Sequence, residues 1–328
     1  MISRRELLIA LGAGAIAVPL RSLAQQKQAT ISRIGFLGSA SAPVSAPRVQ
    51  ALREGLRELG YVEGKNLNIE FRWAEGNYDR LRELATELVG LKVEVIVTHG
   101  VPGTLALKRA TKTIPIVMAY VGDAVATGLV ASLARPGGNV TGATFFNPEL
   151  SAKRLELLKE AVPRIARVAV LLNSDNPVNP AVLQAMELAA GSLKVELLQF
   201  AVRGPGDFEG AFAMMAKKRM QAVAILEDPV LSVNGRAAAD LALKHRLPST
   251  GFLELAEAGG LLAYGANAVE MFRHSARFIG KILKGARPED LPIDRASKFE
   301  LLVNGKTAAA LGLKIPQSVL LRADRVIE

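Results

Sequence analysis

The sequence predicts an α/β protein of two similar lobes, each a doubly wound parallel sheet, joined by a hinge that the chain crosses three times. Two observations carry this. From Ser32 onward, short apolar runs alternate with amphipathic segments of helical period. The alternation then restarts about 130 residues later, with the same element order and loop positions. Composition agrees: 328 residues, 50% hydrophobic and 22% charged, supply a core for each of two domains and exclude a disordered chain.

The first lobe opens with Ser32 to Gly38, a buried strand ending in glycine, followed by the loop Ser39-Ala40-Ser41-Ala42-Pro43. Val49, Leu52, Leu56 and Leu59 recur at helical spacing, and Gly60 stops that helix. Leu67, Ile69 and Phe71 alternate as a strand does. Tyr78, Leu81, Leu84, Ala85 and Leu88 form a second amphipathic helix, Val93 to Thr98 a third strand and Ile114 to Met118 a fourth. The second lobe repeats the pattern. Ala166 to Leu172 is a strand, about Pro180 to Leu193 a helix, and Val195 to Phe200 a strand. Phe208, Phe212 and Met215 mark a helix, and Ala222 to Leu226 a third strand. Such alternation means parallel strands with helices on both faces.

The stretch from about 255 to 328 is too short for a third domain of ordinary size. It holds strand candidates at Gly260 to Tyr264 and Phe299 to Val303, with Phe272, Ala276, Ile279 and Leu283 on a helix between them. It is expected to return to the first lobe and then to the second. The first lobe is thus residues 25–144 plus about 265–296, and the second 145–264 plus about 297–328, with the crossings forming a hinge.

Residues 1–24 read as an export signal. Ser3-Arg4-Arg5 precedes an apolar stretch from Leu7 to Leu20, and Ser22 and Ala24 are small residues at a cleavage position. The paired arginines resemble a twin-arginine signal. The stretch is shorter than the roughly 20 residues that span a bilayer. With no Cys in the chain, no lipid anchor can form at the cleavage site. A soluble periplasmic protein, cleaved near Ala24, is expected.

Several chemistries are excluded or unsupported. Without Cys there is no disulfide framework and no Cys-ligated metal site. The three histidines, His99, His245 and His274, lie far apart in sequence, and no metal or cofactor site is expected. Gly305-Lys306-Thr307 resembles the end of a phosphate loop, but Glu300 stands where that loop needs glycine. The net charge of +10 is scattered, and a single Trp gives no basic-aromatic interleaving, so no nucleic-acid partner is expected. No catalytic constellation emerges.

In open parallel sheets, ligands bind beyond the carboxyl ends of the strands. Two facing lobes therefore frame one cleft with two sets of loops. The first set offers Ser39, Ala40 and Ser41, then His99, Gly100 and Val101, then Tyr120, Gly122, Asp123 and Phe145. The second offers Asn173, Ser174 and Asn176, then Glu227 and Asp228, then Gly251 and Phe252, with Tyr264 ending a crossing strand. Helix N-termini after such loops favour carboxylate. Asp228 or Asp123 can neutralise an ammonium group, and Tyr120, Phe145, Phe146, Phe252 and Tyr264 can pack on an apolar or planar ligand body. Ser39 and Ser41 are equally suited to capping the next helix, and Asp123 and Asp228 to turns. An amino acid or related carboxylate is the ligand this combination suits.

The chain resembles the bacterial ABC-transporter substrate-binding protein family of the type I periplasmic-binding fold. The resemblance rests on Ile34-Gly35-Phe36-Leu37, Leu52 to Asn66, Thr113 to Val117, Leu133 to Gly142, Phe299 to Asn304 and Leu320 to Asp324, in order along the mature chain. It implies a hinged receptor, not an enzyme, that closes on a small ligand and delivers it to a membrane permease driven by an ATPase. Some members are similar to binders of tryptophan, tyrosine or phenylalanine. This chain has Asp123-Ala124-Val125 where the family often has Asp-Pro-Val. Its Glu227-Asp228-Pro229-Val230 loop also differs from the Asn- and Thr-rich loops of the aromatic amino-acid binders, so the resemblance does not name the ligand. A monomer is expected, because the lobes must move. A ligand-sensing subunit for a membrane signalling protein is the alternative role, and an exported enzyme a weaker one.

Overall fold

The computed structural model describes residues 31–328, so the expected export segment lies outside the described residues. The first sheet begins with β1 (Ser32–Gly38), β2 (Leu67–Trp73), β3 (Val95–His99), β4 (Ile116–Gly122) and β5 (Val140–Phe145), all parallel, in the order β5-β4-β3-β1-β2. Between these strands run α1 (Ala42–Glu58), α2 (Leu81–Gly90) and α3 (Gly100–Ala110). The chain then crosses over. After α4 (Asn147–Ala161), a second sheet forms from β6 (Arg167–Asn173), β7 (Glu196–Val202), β8 (Ala222–Ile225), β9 (Ser249–Gly251) and β10 (Leu262–Gly265). Its helices are α5 (Asn179–Leu193), α6 (Phe208–Lys217), α7 (Pro229–Val233), α8 (Gly235–Lys244) and α9 (Leu253–Glu257).

The chain returns through α10 (Ala268–Leu283) and β11 (Asp294–Arg295), which pairs with β5, and then crosses again to β12 (Glu300–Asn304) and β13 (Arg325–Ile327). The fold is therefore two α/β lobes. Two strands of the second sheet depart from an all-parallel arrangement: β12 runs antiparallel to β10, and β13 runs parallel to β12.

The central strands carry apolar residues on both faces, as buried parallel strands must. In the first sheet, Ile34, Phe36, Val95, Val97, Val117 and Ala119 pack with Val49, Leu52 and Leu56 of α1 and Phe272 and Ile279 of α10. The alternate residues Leu37, Ile96, Ile116 and Met118 pack with Leu84 and Leu88 of α2 and Leu107 of α3. The second sheet repeats this. Ala169, Leu171, Val223 and Ile225 face Phe208, Phe212 and Met215 of α6. Val168, Val170 and Ala224 face Leu155 and Leu158 of α4 and Met186 of α5. The period-two alternation in sequence is the cause of the layered packing.

Two local features set the ends of the first sheet. The register between β3 and β4 shifts at Thr98/His99, and that between β4 and β5 at Met118/Val121. Gly142 sits at the second shift with φ +128°, and a Cβ there would lie 2.2 Å from the Met118 carbonyl oxygen, so only glycine fits. Helix α1 starts at Ala42, seven residues before the apolar period that identified it. Its early prolines, Pro43 and Pro47, hid that start.

Candidate functional site

The carboxyl ends of the two sheets face each other, and residues from both lobes line a small, partly open cavity of about 30 Å³, far below the roughly 300 Å³ or more of a typical ligand pocket. From the first lobe come Arg48, His99, Gly100, Val101, Tyr120, Gly122 and Phe145, with Asn147 just past the crossing. From the second come Asn176, Val178, Glu227, Asp228, Pro229 and Ser232.

The aromatic wall is one stacked pair, Tyr120 and Phe145, with ring centroids 4.4 Å apart. They are the ends of neighbouring strands β4 and β5, which explains the contact. The Arg48 guanidinium stands 6.0 Å above the Tyr120 ring. His99 ends β3, with its ring 5.7 Å from that of Phe272. Burial, helped by the charge of Arg48, lowers its pKa to about 3, so the imidazole is neutral.

Three polar contacts join the lobes across this cavity. The Tyr78 hydroxyl donates to Asp228 Oδ2 at 2.7 Å. The Tyr120 hydroxyl donates to Glu227 Oε1. Arg48 donates to Glu254 Oε1 at 2.7 Å. Burial opposes ionisation of Glu254, and the Arg48 charge more than offsets it, so its pKa is lowered. Burial raises the Tyr120 pKa well above the ordinary phenol value, with the Glu227 charge acting in the same direction. Tyr120 is therefore a donor at any physiological pH.

The two neighbouring acids differ in what is left to them. Asp228 caps α7. Its Oδ1 accepts from the backbone N–H groups of Val230 and Leu231 and from Asn173 Nδ2, and its Oδ2 accepts from Asn176 Nδ2 and Tyr78. Burial still raises its pKa, partly offset by these donors. Glu227 has one donor inside its own lobe, Arg154 Nη2 on Oε2 at 2.7 Å, and one across the cleft, Tyr120 on Oε1.

Of the residues expected at the site, His99, Gly100, Val101, Tyr120, Gly122, Phe145, Asn176, Glu227 and Asp228 line this cavity together. The others stand back from it, each for a physical reason. Ser39 and Ala40 are fully buried and do not line it. Ser41 occupies the N-cap position of α1, without a side-chain cap bond. Asp123, at φ +36°, accepts from the Ala126 N–H and shapes a turn. Asn173 supports Asp228, and Ser174 is exposed and bonds Asp175. Gly251 and Phe252 belong to the packing of the second lobe, where a Cβ on Gly251 would lie 2.8 Å from Leu255 Cδ2. Tyr264 packs on Phe299 at the crossing.

Arg48, Asn147, Val178, Pro229 and Ser232 were not anticipated. They lie in or beside the first two turns of the helices that follow the loops, so extending each loop by one or two helical turns would have found most of them. Arg48 was hidden because α1 begins earlier than its apolar period. Tyr78, which joins an interlobe contact, was read as part of a helix face, and the structure places it in the turn before α2; Glu254 lies in the first turn of α9, just past the loop candidates Gly251 and Phe252. Among the described residues, no cluster of His, Asp or Glu is disposed to hold a metal, and no helix is long and apolar enough to cross a membrane.

A family model described as ABC transporter substrate binding protein matches residues 34–327. A tyrosine-binding protein of Clostridioides difficile is 25% identical over 277 residues, which is 83% of this chain and 79% of that protein. Among solved structures, a conserved domain protein of Vibrio cholerae matches with a TM-score of 0.84 and 28% identity, over 90% of this chain and 100% of that one. An ABC domain from Streptococcus pneumonia in complex with L-Trp matches with a TM-score of 0.83 and 26% identity, over 91% of this chain and 100% of that one.

Proposed function

The chain belongs to the ABC transporter substrate-binding protein family, and from that premise we propose that its ligand is an L-α-amino acid with an aromatic side chain. One observation carries the reading. An interlobe cavity brings together an anion, Glu227, a cation, Arg48, and a stacked aromatic pair, Tyr120 and Phe145. An aromatic amino acid is the smallest common ligand that answers all three. The relatives that bind tyrosine and L-Trp support the same class.

The cavity, at about 30 Å³, is too small for an amino acid, so the lobes must part to admit the ligand, breaking the three interlobe contacts. On reclosure the ligand's ammonium takes the place of the Tyr120 hydroxyl on Glu227 Oε1, because the Asp228 oxygens stay committed to four donors of their own lobe while Oε1 of Glu227 has none there. The carboxylate is received by Arg48 and the N-terminal N–H groups of α3, and the ring lies against Tyr120 and Phe145. The ligand drives closure only by its preference for the closed form over the open one.

Substrate-binding proteins of this family serve an ABC permease and are generally extracytoplasmic. In this reading residues 1–24 are a twin-arginine signal cleaved near Ala24, and the mature protein is a soluble periplasmic monomer that binds without turnover. Its lobes divide as 25–144 plus about 265–296 and 145–264 plus about 297–328 around the crossings.

The test is thermal stability of the purified chain, stripped of ligand by unfolding and refolding, against amino acids, aromatic carboxylates, sugars and nucleosides. An aromatic amino acid at 100 times its dissociation constant is expected to stabilise by about 2.7 kcal/mol and to be recovered unchanged. Stabilisation by sugars or nucleosides alone would remove the amino-acid reading. Consumption of the ligand would make the protein an enzyme.

A further inference from the structure

Behind Glu227 stands a residue that does not reach the cavity. Arg154, on α4, is 3% exposed. Its Nη2 donates to Glu227 Oε2 at 2.7 Å, and its Nε donates to the Tyr264 carbonyl oxygen at 2.6 Å. Its third nitrogen, Nη1, is buried and has no hydrogen-bond partner among the described residues. The guanidinium lies so close to the chain that a Cβ on Gly265 would come within 2.9 Å of Nη2. Arg154 therefore joins three things: the helix that follows the first crossing, the end of β10 just before the second crossing, and the acid at the cleft.

A buried ion pair is costly unless its remaining donors are satisfied, and replacing such a pair with apolar side chains is often neutral or stabilising. This pair leaves the two N–H donors of Nη1 unspent among the described residues. Stability alone is thus a poor account of it, and its geometry supplies a better one. With Oε2 held from behind, Glu227 can turn only Oε1 toward the first lobe, which is where Tyr120 meets it.

We propose that Arg154 is a positioning residue that makes the cleft selective for ligands bearing a protonated amine, by fixing Glu227 with one carboxylate oxygen aimed across the cleft and anchoring it to the hinge strand at Tyr264. This rests on the amino-acid reading above, in which Glu227 receives the amine. The amine of the ligand replaces the Tyr120 hydroxyl on Oε1, while Arg154 keeps Oε2. Without Arg154 the Glu227 side chain is free to rotate, and the ordering of that acid has to come out of the ligand's own binding energy.

The experiment measures, by calorimetry on the full chain, the dissociation constants of L-tyrosine and of its amine-free analogue 3-(4-hydroxyphenyl)propionate. The proteins are wild type, Glu227→Gln, Arg154→Met, Arg154→Lys and the double variant Arg154→Met/Glu227→Gln. Wild type is expected to favour tyrosine by about 100-fold, the scale of one charge-assisted contact. Glu227→Gln and Arg154→Met are each expected to bring the two ligands within about threefold, and the double variant to show no further loss, since Arg154 acts through Glu227. Arg154→Lys keeps the charge but not both bonds, and is expected to retain part of the preference.

The proposal is overturned if Arg154→Met weakens both ligands equally, or lowers the preference again when Glu227 is already Gln. If Arg154→Met alone does not fold, the same comparison is made with Arg154→Lys, with and without Glu227→Gln. A wild type that shows no preference for the amine overturns the amino-acid reading itself, before any variant is made; if it binds neither ligand, the same series is run with L-Trp and its amine-free analogue 3-indolepropionate, and failure there overturns the reading.

Discussion

Tyr78, in the first lobe, donates its hydroxyl to Asp228 in the second at 2.7 Å, and Asp228 is at the same time the N-cap of α7. One carboxylate therefore both builds the second lobe's cleft loop and holds the first lobe against it. The two roles separate by mutation, because only the interlobe bond comes from Tyr78.

Tyr78→Phe removes that bond and leaves the four donors to Asp228 from its own lobe. The closed form is expected to lose about 1.5–3 kcal/mol, the value of a hydrogen bond to a charged group. Ligand affinity then falls roughly 10- to 150-fold, while the fold is kept. Calorimetry with an aromatic amino acid checks this, and an unchanged affinity would mean that the contact does not contribute to closure.

Gly100 and Pro229 meet across the cleft. Gly100 has φ +71°, and a Cβ there would lie 2.7 Å from Pro229 Cγ. Gly100→Ala is expected to cost about 1 kcal/mol in backbone strain. It also wedges the lobes apart, so ligand binding is expected to weaken more than thermal stability. Small-angle scattering should report a larger radius of gyration in the presence of ligand than for wild type. Equal radii would count against the wedge.

His99 sets a pH dependence. Its folded pKa of about 3 lies below the roughly 6.5 of an unfolded histidine. The unfolded chain thus binds a proton that the folded chain refuses, and stability falls as pH drops from about 6.5 toward 3, by up to a few kcal/mol. Above that window His99 contributes nothing to the slope. His99→Asn is expected to flatten this part of the melting-temperature profile. An identical acid limb in wild type and variant would show that His99 is protonated freely.

Gly55 separates helix propensity from packing. Alanine in place of a mid-helix glycine ordinarily stabilises by about 1 kcal/mol. Here α1 runs against α10, and a Cβ on Gly55 would lie 2.3 Å from the Arg273 carbonyl oxygen and 2.8 Å from Ala276 Cβ. Gly55→Ala is expected to destabilise by about 1–3 kcal/mol, because backbone on the far side cannot yield cheaply. Denaturant unfolding gives the sign, and a stabilised variant would contradict this helix contact.

Much of the architecture was legible along the chain because apolar periodicity is a local signal. The alternation of Ile34, Phe36 and Leu37, or of Val95, Ile96 and Val97, reports strands covered on both faces before any neighbour is known. Starts of helices were less legible. The prolines near the start of α1 masked seven residues of helix, and with them Arg48. Some loop residues that were candidates by position proved to serve the loops themselves, as Asp123 serves its turn.

What the sequence by itself determined is the layered two-lobe fold, its family and the loops that could form a cleft, because periodicity, glycine placement and strand ends are properties of short segments. Only the tertiary structure decided which side chains meet in that cleft. The Tyr120–Glu227, Tyr78–Asp228 and Arg48–Glu254 contacts join residues more than 100 positions apart. The division of labour between Glu227 and Asp228 depends on donors from β4, α4, β6 and α7 and from the segments of Tyr78 and Asn176. No local pattern encodes such distances, since they exist only once two sheets have been folded and set face to face.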